Sequence, residues 1–519
     1  MKKRMLAVLL AICLLMSALP AAASAAEVAA SGTCGEKLTW VLDTDGTLTI
    51  SGTGPMTVWE VPEDVPWAEN ILEIKRVIIE DGVTTVGDWA FFGAENLADI
   101  SLAQSITQIG PYVFGLNTSL TSIDLPEGIT RIEDGLFNGS GLTGIVIPKN
   151  VTYIGASAFE ASESLREIVF TGDAPQMHNS MAHMVTATVY YPAGNQTWSY
   201  DKVAWMIEFI VGELTWLSYH DSDIYRIYGD DRCKTAFEIA EEMKSLQGKL
   251  FADGAVIACA DNFADALAGS YLAAELNVPI LLYRSAYLEE LDWLYFVLGT
   301  QPEKPVYIVG GTAAVPAELE EALGRMPYVR LAGDTRFDTN LEILKEAGVT
   351  GGEILVATGW DFADSLSASA VGKPILLVNS ITGKLTENQK EFLSGLEDAT
   401  FTIIGGTAAV GEGLAAELAA YGEVDRNWGN TREETSVKVA ERYFADPDRI
   451  VLAYSRNFPD GLCGGPLAHA LGAPLILTNT GAEGTAADYV AANEITKGVI
   501  LGGTAVLSDE TTAEVFALN

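Results

Sequence analysis

The chain is poor in the residues that carry most catalysis and metal binding. It has 4 histidines and 5 cysteines among 519 residues, and no two cysteines stand in a CxxC or other metal-ligand spacing. Cys13 falls in the N-terminal apolar run. That leaves Cys34, Cys233, Cys259 and Cys463, too few and too scattered for a disulfide framework or a zinc site. No cofactor and no metal is expected. Basic residues are scarce as well, with 31 Lys plus Arg against 70 Asp plus Glu and a formal net charge of −39. Such a surface disfavours nucleic acid, which rewards basic patches. It suits a highly charged soluble exterior. It also repels other polyanions at long range, so an anion site would have to be built locally from single cations. Long apolar runs are missing after the N-terminus. The stretch Ala204 to Leu217 is short and contains Glu208 and Glu213, short of the ~20 residues a membrane span needs.

Residues 1–26 have the parts of a signal peptide: basic Met1-Lys2-Lys3-Arg4, an apolar run from Met5 to Leu19, and the small-residue site Ala23-Ser24-Ala25. The expectation is export, with no membrane span after signal removal. No apolar tail follows the last repeat, so retention at the surface is expected to be non-covalent.

What the chain does have is repetition, of two kinds. Val86, Ile109, Ile132 and Ile154 recur at steps of 23, 23 and 22 residues. Phe91, Phe114, Phe137 and Phe159 keep the same steps. Short β-type runs lie between them: Arg76 to Ile79, Thr121 to Leu125 and Gly144 to Ile147. A period in the twenties with apolar residues at fixed offsets predicts a leucine-rich solenoid, whose units bury their faces only by stacking. Leu38 to Gly52 alternates apolar and polar residues around Asp45-Gly46, which predicts a hairpin cap. Ala187 to Pro192 is expected to end the solenoid, with 201–221 as a connector.

The second kind fills the C-terminal part. Gly229-Asp230-Asp231-Arg232, Gly333-Asp334-Thr335-Arg336 and Gly429-Asn430-Thr431-Arg432 recur at intervals of 104 and 96 residues. Each is followed by Asn262-Phe263-Ala264-Asp265, Asp361-Phe362-Ala363-Asp364 or Asn457-Phe458-Pro459-Asp460. A Pro-Ile/Leu-Leu/Ile-Leu phrase comes next (Pro279, Pro374, Pro474), then Gly-Gly-Thr-Ala at Gly310, Gly405 and Gly502. Within the first unit Ala255–Ala258, Ile280–Leu282 and Val306–Val309 read as strands, and Ala264–Leu276 and Leu288–Leu298 as helices. Continuous apolar strands alternating with helices predict α/β modules with parallel sheets.

Arg232, Arg336 and Arg432 fall at helix starts, and a guanidinium offers a bidentate fork for phosphate or carboxylate. Equally, each could pair within its own module with Asp265, Asp364 or Asp460. Those aspartates could accept hydrogen bonds from sugar hydroxyls, act as bases, or cap the following helix. The Gly-Gly pairs lack the third glycine of GxGxxG and the lysine of a P-loop, so a tight strand-to-helix turn explains them. Catalysis would want a histidine or second carboxylate nearby, and only His469 lies within a repeat, without counterparts. An enzyme is not expected.

The phrases "LPEGITRI" and "IPKNVTYIG", with their spacing, resemble the BspA-like leucine-rich repeats of bacterial surface proteins, over 27–200 with the hairpin cap. The four C-terminal phrases together resemble cell wall binding repeat 2, found in threes in clostridial and related Gram-positive surface proteins. Modules at 222–325, 326–421 and 422–519 follow. This resemblance implies Rossmann-like modules in a pseudo-threefold arrangement. It also implies non-covalent anchoring at the cell wall to an anionic polymer, teichoic-acid-like or a secondary polysaccharide. The leucine-rich repeats would be displayed for adhesion or interaction with a protein or host-surface partner. Arg232, Arg336 and Arg432, with Asn262, Asp265, Asp364, Asn457 and Asp460, are the expected polymer contacts. Replacement of the Asn by Asp361 makes the second module the expected weak one. Two alternatives stand beside this reading: a wall-modifying hydrolase using a repeat Asp as base, and a freely secreted interaction scaffold.

Overall fold

The computed structural model describes residues 27–193, 195, 197–198, 213–249, 251–284, 292–457 and 460–518. The expected signal peptide, most of the connector, and Phe458 and Pro459 lie outside the described residues. The chain divides into two compact units, Met1–Tyr219 and His220–Asn519.

The first unit is a leucine-rich solenoid. Its cap is the expected hairpin, Leu38–Asp43 paired antiparallel with Thr47–Gly52. Asp43 Oδ1 accepts the Asp45 and Thr47 amides, and Gly46 takes the left-handed φ of 90° the turn requires. Val28–Gly35 adds an outer antiparallel strand that the pattern did not announce. Thr47–Gly52 then passes into parallel pairing with Arg76–Ile79 and so to Asp99–Ser101. Further along, Gly144–Ile147, Glu167–Phe170 and Thr186–Pro192 continue in parallel. Two findings differ from expectation. Thr121 to Leu125 forms no strand, although Ile123 and Leu125 are buried; the Thr143 amide still bonds the Thr121 carbonyl at 3.0 Å. And Thr186–Pro192 is not the last strand, because Glu213–Tyr219, expected as connector, pairs with it along its whole length.

The interior of the solenoid is a column of rings. Phe91, Phe114, Phe137 and Phe159 stack at centroid spacings of 5.9, 5.7 and 5.7 Å with interplanar angles of 8–12°. Trp67 of the cap continues the column at 5.7 Å. Beside it Asn117 is wholly buried and donates to the Phe91 carbonyl at 2.7 Å, while Ser162 donates to the Phe137 carbonyl at 2.7 Å. Each ring is thus held by its neighbours and each coil by a buried polar tie.

The second unit contains three four-stranded parallel sheets whose strand order is out of phase with the sequence repeats. In the first, Ile280–Tyr283, Ala255–Cys259, Val306–Val309 and Tyr328–Leu331 are neighbours in that order. Tyr328–Leu331 belongs in sequence to the phrase that opens the second repeat. The second sheet repeats the order with Ile375–Val378, Gly351–Thr358, Glu397–Ile404 and Glu423–Asn427. The third sheet is completed from the other end of the unit. The place beside Lys497–Leu501 is taken by Ile224–Ile227, the first strand of the unit, paired in register from Ile224↔Gly498 to Ile227↔Leu501. The unit is closed by its own beginning, and residues 220–223 are all that separate this strand from Glu213–Tyr219.

Helices complete the closure. Phe263–Leu276, Ala363–Ser369 and Gly464–Ala470 pack pairwise on one another as an axial triad. Each also packs on the helix that opens with the arginine of the next repeat: Arg336–Glu346, Arg432–Tyr443 and, returning, Arg232–Gln247. The arrangement is pseudo-threefold, and one apolar core draws on all three modules, with Leu267, Leu366 and Leu467 fully buried in it. No helix among the described residues is long and apolar enough to cross a membrane.

Two stability predictions follow from these contacts. A fragment 228–519, lacking Ile224–Ile227, is expected to be less stable than 220–519 by roughly 2–4 kcal/mol, from the lost burial of Ile227 and the lost strand ladder; equal denaturant midpoints would refute closure by this strand. Phe137→Ala, in the middle of the ring column, is expected to cost about 3–5 kcal/mol, measured by thermal or urea unfolding.

Candidate functional site

Each of the three seams between modules brings together the same parts. The Asp of the Asn/Asp-Phe phrase comes from one module, along with that module's Gly-Gly turn. The arginine comes from the next. Local structure sets each one. The first glycines, Gly310, Gly405 and Gly502, have φ of 107°, 110° and 97°, a region a side chain rarely adopts. Asp265, Asp364 and Asp460 lie against them. A Cβ on Gly310 or Gly502 would come within 2.8 or 2.7 Å of the facing Oδ2, and one on Gly405 would come closer still to Asp364. The glycines serve the carboxylates as much as the turn.

These aspartates are not helix caps, as one reading of the sequence had it. Asn262 caps its helix, its Oδ1 accepting the Ala264 amide at 3.2 Å, and Asp265 sits inside that helix. In the second module the equivalent Asp361 Oδ1 accepts the Phe362 amide at 2.7 Å, and the helix begins after Phe362 without a side-chain cap. Asp364 lies at the second helical position. Asp265 is 6 % exposed. Burial raises its proton affinity above the ordinary carboxylate, with Arg336 opposing. Asp364 is pushed up to about 6 by burial and then by Asp361, against Arg432. Asp460 is raised by burial, opposed by the Thr235 hydroxyl, which donates to it at 2.9 Å, and by Arg232. Asn457 is exposed at the same seam as Asp460.

The arginines stand at the first helical positions, as expected, but their partners differ from the expected pairing within a module. Arg232, Arg336 and Arg432 each spend Nη1 on a main-chain carbonyl of their own module, Ala260, Gly359 and Ser455, at 2.7, 2.7 and 2.8 Å. That bond fixes the guanidinium at the end of a central strand. The repeat aspartate that feels its charge belongs to the preceding module, although Arg232 also lies 3.9 Å from Asp261 of its own. Rings of that phrase are engaged too: Arg336 Cζ lies 5.8 Å from the Phe263 centroid, and Arg432 Cζ lies 5.5 Å from that of Phe362. Arg432 Nη2 also reaches Asp361 Oδ2 at 3.4 Å. The Asn-to-Asp change in the second module therefore adds an ion pair across the seam.

Two further sets escaped the sequence reading. Arg226, Arg330 and Arg426, three residues before the opening glycine of each repeat, donate to the carbonyls of Gly502, Gly310 and Gly405 at 2.8, 2.8 and 3.0 Å. They lock the Gly-Gly turns from the neighbouring strand. Thr235, Thr339 and Thr435, six residues after the opening glycine, accept the amides of Gly229, Gly333 and Gly429 at 3.1 Å each. The fixed offsets were visible in the repeats; the shared partner was not.

Positions around this common frame vary. After the carbonyl that binds the arginine come Asp261, Trp360 and Arg456. Asp261 pairs with Arg284 at 2.6 Å, Trp360 Nε1 donates to Asn379 at 2.9 Å, and Arg456 bonds Asn479 at 3.1 Å. In the second module Trp360 lies 4.4 Å from Arg336 Cζ, at the edge of a cavity of about 470 Å³ lined also by Asn379 and Asn388. Before the opening glycine stand Tyr228, Ala332 and Trp428. Tyr228 lies 3.7 Å from where a Cβ would project at Gly503, and Trp428 lies 3.5 Å from that of Gly406. The four cysteines among the described residues are free, with Cys34 and Cys463 buried. His469 packs against Gly372, at the opposite end of its helix from Asp460.

Comparison with known proteins matches both repeat systems. The model of Cell wall binding domain 2 (CWB2) matches residues 226–320, 330–415 and 426–512, and that of the BspA type leucine rich repeat region matches 69–181 in six copies. The N-acetylmuramoyl-L-alanine amidase LytC of Bacillus subtilis (strain 168) is 27 % identical over 301 residues, 56 % of this chain and 57 % of its own length. The Amidase enhancer of the same strain is 24 % identical over 313 residues, 58 % of this chain and 43 % of its own. The chain thus spans about half the length of the curated relatives it matches. Among solved structures, Cwp8 from Clostridium difficile is 28 % identical with a TM-score of 0.49, over 58 % of this chain and 53 % of that one. Cwp6 from the same organism is 22 % identical with a TM-score of 0.48, over 57 % and 48 %.

The raised aspartates give the site a pH signature. Asp364 binds its proton more tightly folded than unfolded. The stability this confers is fully present below about pH 4 and lost as pH rises through about 6. Asp364→Asn is expected to stabilise the protein at pH 8 by about 1–3 kcal/mol and to change little at pH 4, as read from urea midpoints at the two pH values.

Proposed function

The chain belongs to the cell wall binding domain 2 family, and we propose that its three seams hold an exported surface protein non-covalently to an anionic wall polymer. The observation that carries this reading is the threefold recurrence of one composite arrangement: a guanidinium of one module facing a carboxylate, buried or half-buried, and a glycine turn of the preceding one. Each arginine is oriented by a main-chain carbonyl through Nη1. In a chain with a net charge of −39, a fixed cation at each seam is the local feature an anionic group would find. A repeating polymer engages repeated sites together, and avidity multiplies weak contacts by roughly 10² to 10⁴. In this reading Arg232, Arg336 and Arg432 bind the anionic groups. Asn262, Asp265, Asp364, Asn457 and Asp460 shape the seams and accept hydroxyl hydrogen bonds. Modules 222–325, 326–421 and 422–519 each contribute to two seams. The leucine-rich repeats are then the displayed part, available for adhesion or protein interaction.

A hydrolase reading draws on Asp364, whose pKa of about 6 suits a general base, and on the amidase named among the relatives. Against it stands His469, placed away from Asp460. Loss of wall turnover on Asp364→Asn, if such turnover exists, would favour that reading.

The test uses the chain from residue 27 with isolated walls, intact and after acid stripping of secondary polymers. Binding to intact walls and loss on stripping is the expected result. Replacing Arg232, Arg336 and Arg432 together by alanine should weaken binding by roughly 100-fold and flatten its salt dependence. Each replacement strands a carbonyl at a cost of about 1 kcal/mol, so the variant's unfolding is followed alongside. Undiminished wall binding by a folded triple variant would remove the arginines from the site.

A further inference from the structure

Every seam carries one large aromatic ring about half exposed, set over the glycine turn or against the arginine, and the three rings do not come from one sequence position. At the seam closing the unit it is Tyr228, 50 % exposed, and between the second and third modules it is Trp428, 49 % exposed. Both precede the opening glycine and lie over the second glycine of the facing turn, Gly503 or Gly406. The corresponding position at the remaining seam is Ala332, and there the space over Gly311 is open. That seam has instead Trp360, 43 % exposed, from the position after the arginine-binding carbonyl, where the other modules have Asp261 and Arg456.

We propose that Tyr228, Trp360 and Trp428 are stacking platforms for sugar rings of the wall polymer, one per seam, so that its repeating unit presents a ring next to each anionic group. The proposal rests on the polymer-anchor reading above and narrows it. An acyclic polyol phosphate would satisfy the arginines but not the aromatic faces.

The packing supports a ligand role over a structural one. Among the described residues the side chains of Tyr228 and Trp428 make no hydrogen bond and no ring contact, and each residue is left half exposed. An aromatic face against water is better covered by the C–H face of a sugar ring, which keeps its hydroxyls free for polar groups at the rim. Those groups are at hand. The Gly503 turn under Tyr228 adjoins Gly502, which faces Asp460, and Asp460 is bonded to Thr235. The Gly406 turn under Trp428 adjoins Gly405 and Asp364. Trp360 shares its cavity with Arg336, Asn379 and Asn388.

The deciding experiment measures binding of the chain from residue 27 to isolated walls across a salt series. Replacing Tyr228, Trp360 and Trp428 by alanine should weaken binding by roughly tenfold or more while leaving the slope against salt unchanged. The arginine variant, in contrast, should flatten that slope. Mild periodate, which opens sugar rings bearing vicinal diols, should bring wild-type binding down to the level of the aromatic variant and leave that variant's own binding unaltered. A gain is expected from Ala332→Trp, which places a ring in the open space over Gly311 without removing any contact. Unchanged affinity in the aromatic variant, or no gain from Ala332→Trp, would overturn the platforms while leaving the anchor intact. Absence of wild-type binding to any wall would overturn both.

Discussion

Each sheet of the anchor borrows its last strand from the start of the following repeat, and the rest of the unit depends on that borrowing. A module that completes its own sheet can stand alone and meet its neighbours through ordinary surfaces. Here the strand running into the phrase of Arg336 is the edge of the first sheet, and that running into Arg432 is the edge of the second. The helix that follows must therefore start at the seam. In the third sheet it is Ile224–Ile227, from the start of the first repeat, that fills the place. Three equivalent seams are the geometric result, each built from two successive repeats.

That borrowing also explains why the polar groups at the seams tolerate their surroundings. Asp265, Asp364 and Asp460 sit where burial penalises charge, a cost that folding alone would select against. Glycines at the facing turns give the carboxylates room. Arg226, Arg330 and Arg426 hold those turns rigid, and a guanidinium from the neighbouring module partly compensates the charge. Carboxylates held in this way opposite fixed cations leave each seam with a set, preorganised geometry.

Much of this could be read from the sequence, and the limits have physical causes. The strands Ala255–Cys259, Ile280–Tyr283 and Val306–Val309 were legible because a strand buried on both faces is an unbroken apolar run. The solenoid was legible because Phe91, Phe114, Phe137 and Phe159 must recur in step if their rings are to stack. What pattern could not show is which strand pairs with which: Ile224–Ile227 and Glu213–Tyr219 look like linker until their partners, far away or poorly patterned, are known. The same holds for the site. Arg232 and Asp460 are 228 positions apart in the chain, and repeat alignment places them in different units. Alignment suggested pairing within a unit, whereas the fold pairs each arginine's charge with the unit before it.

The strand that closes the second unit is also the one by which the chain enters it. Glu213–Tyr219 is the last strand of the first unit's sheet, and residues 220–223 lead from it to Ile224–Ile227. This strand lies parallel to Lys497–Leu501 and is tied laterally by Arg226 to Gly502, Asp509 and Thr512. Tyr225 adds a hydrogen bond to buried Glu242 at 2.7 Å. The order of synthesis therefore differs from the order of assembly: the first strand of the unit to be made finds its place only when Lys497–Leu501, near the other end, has been added.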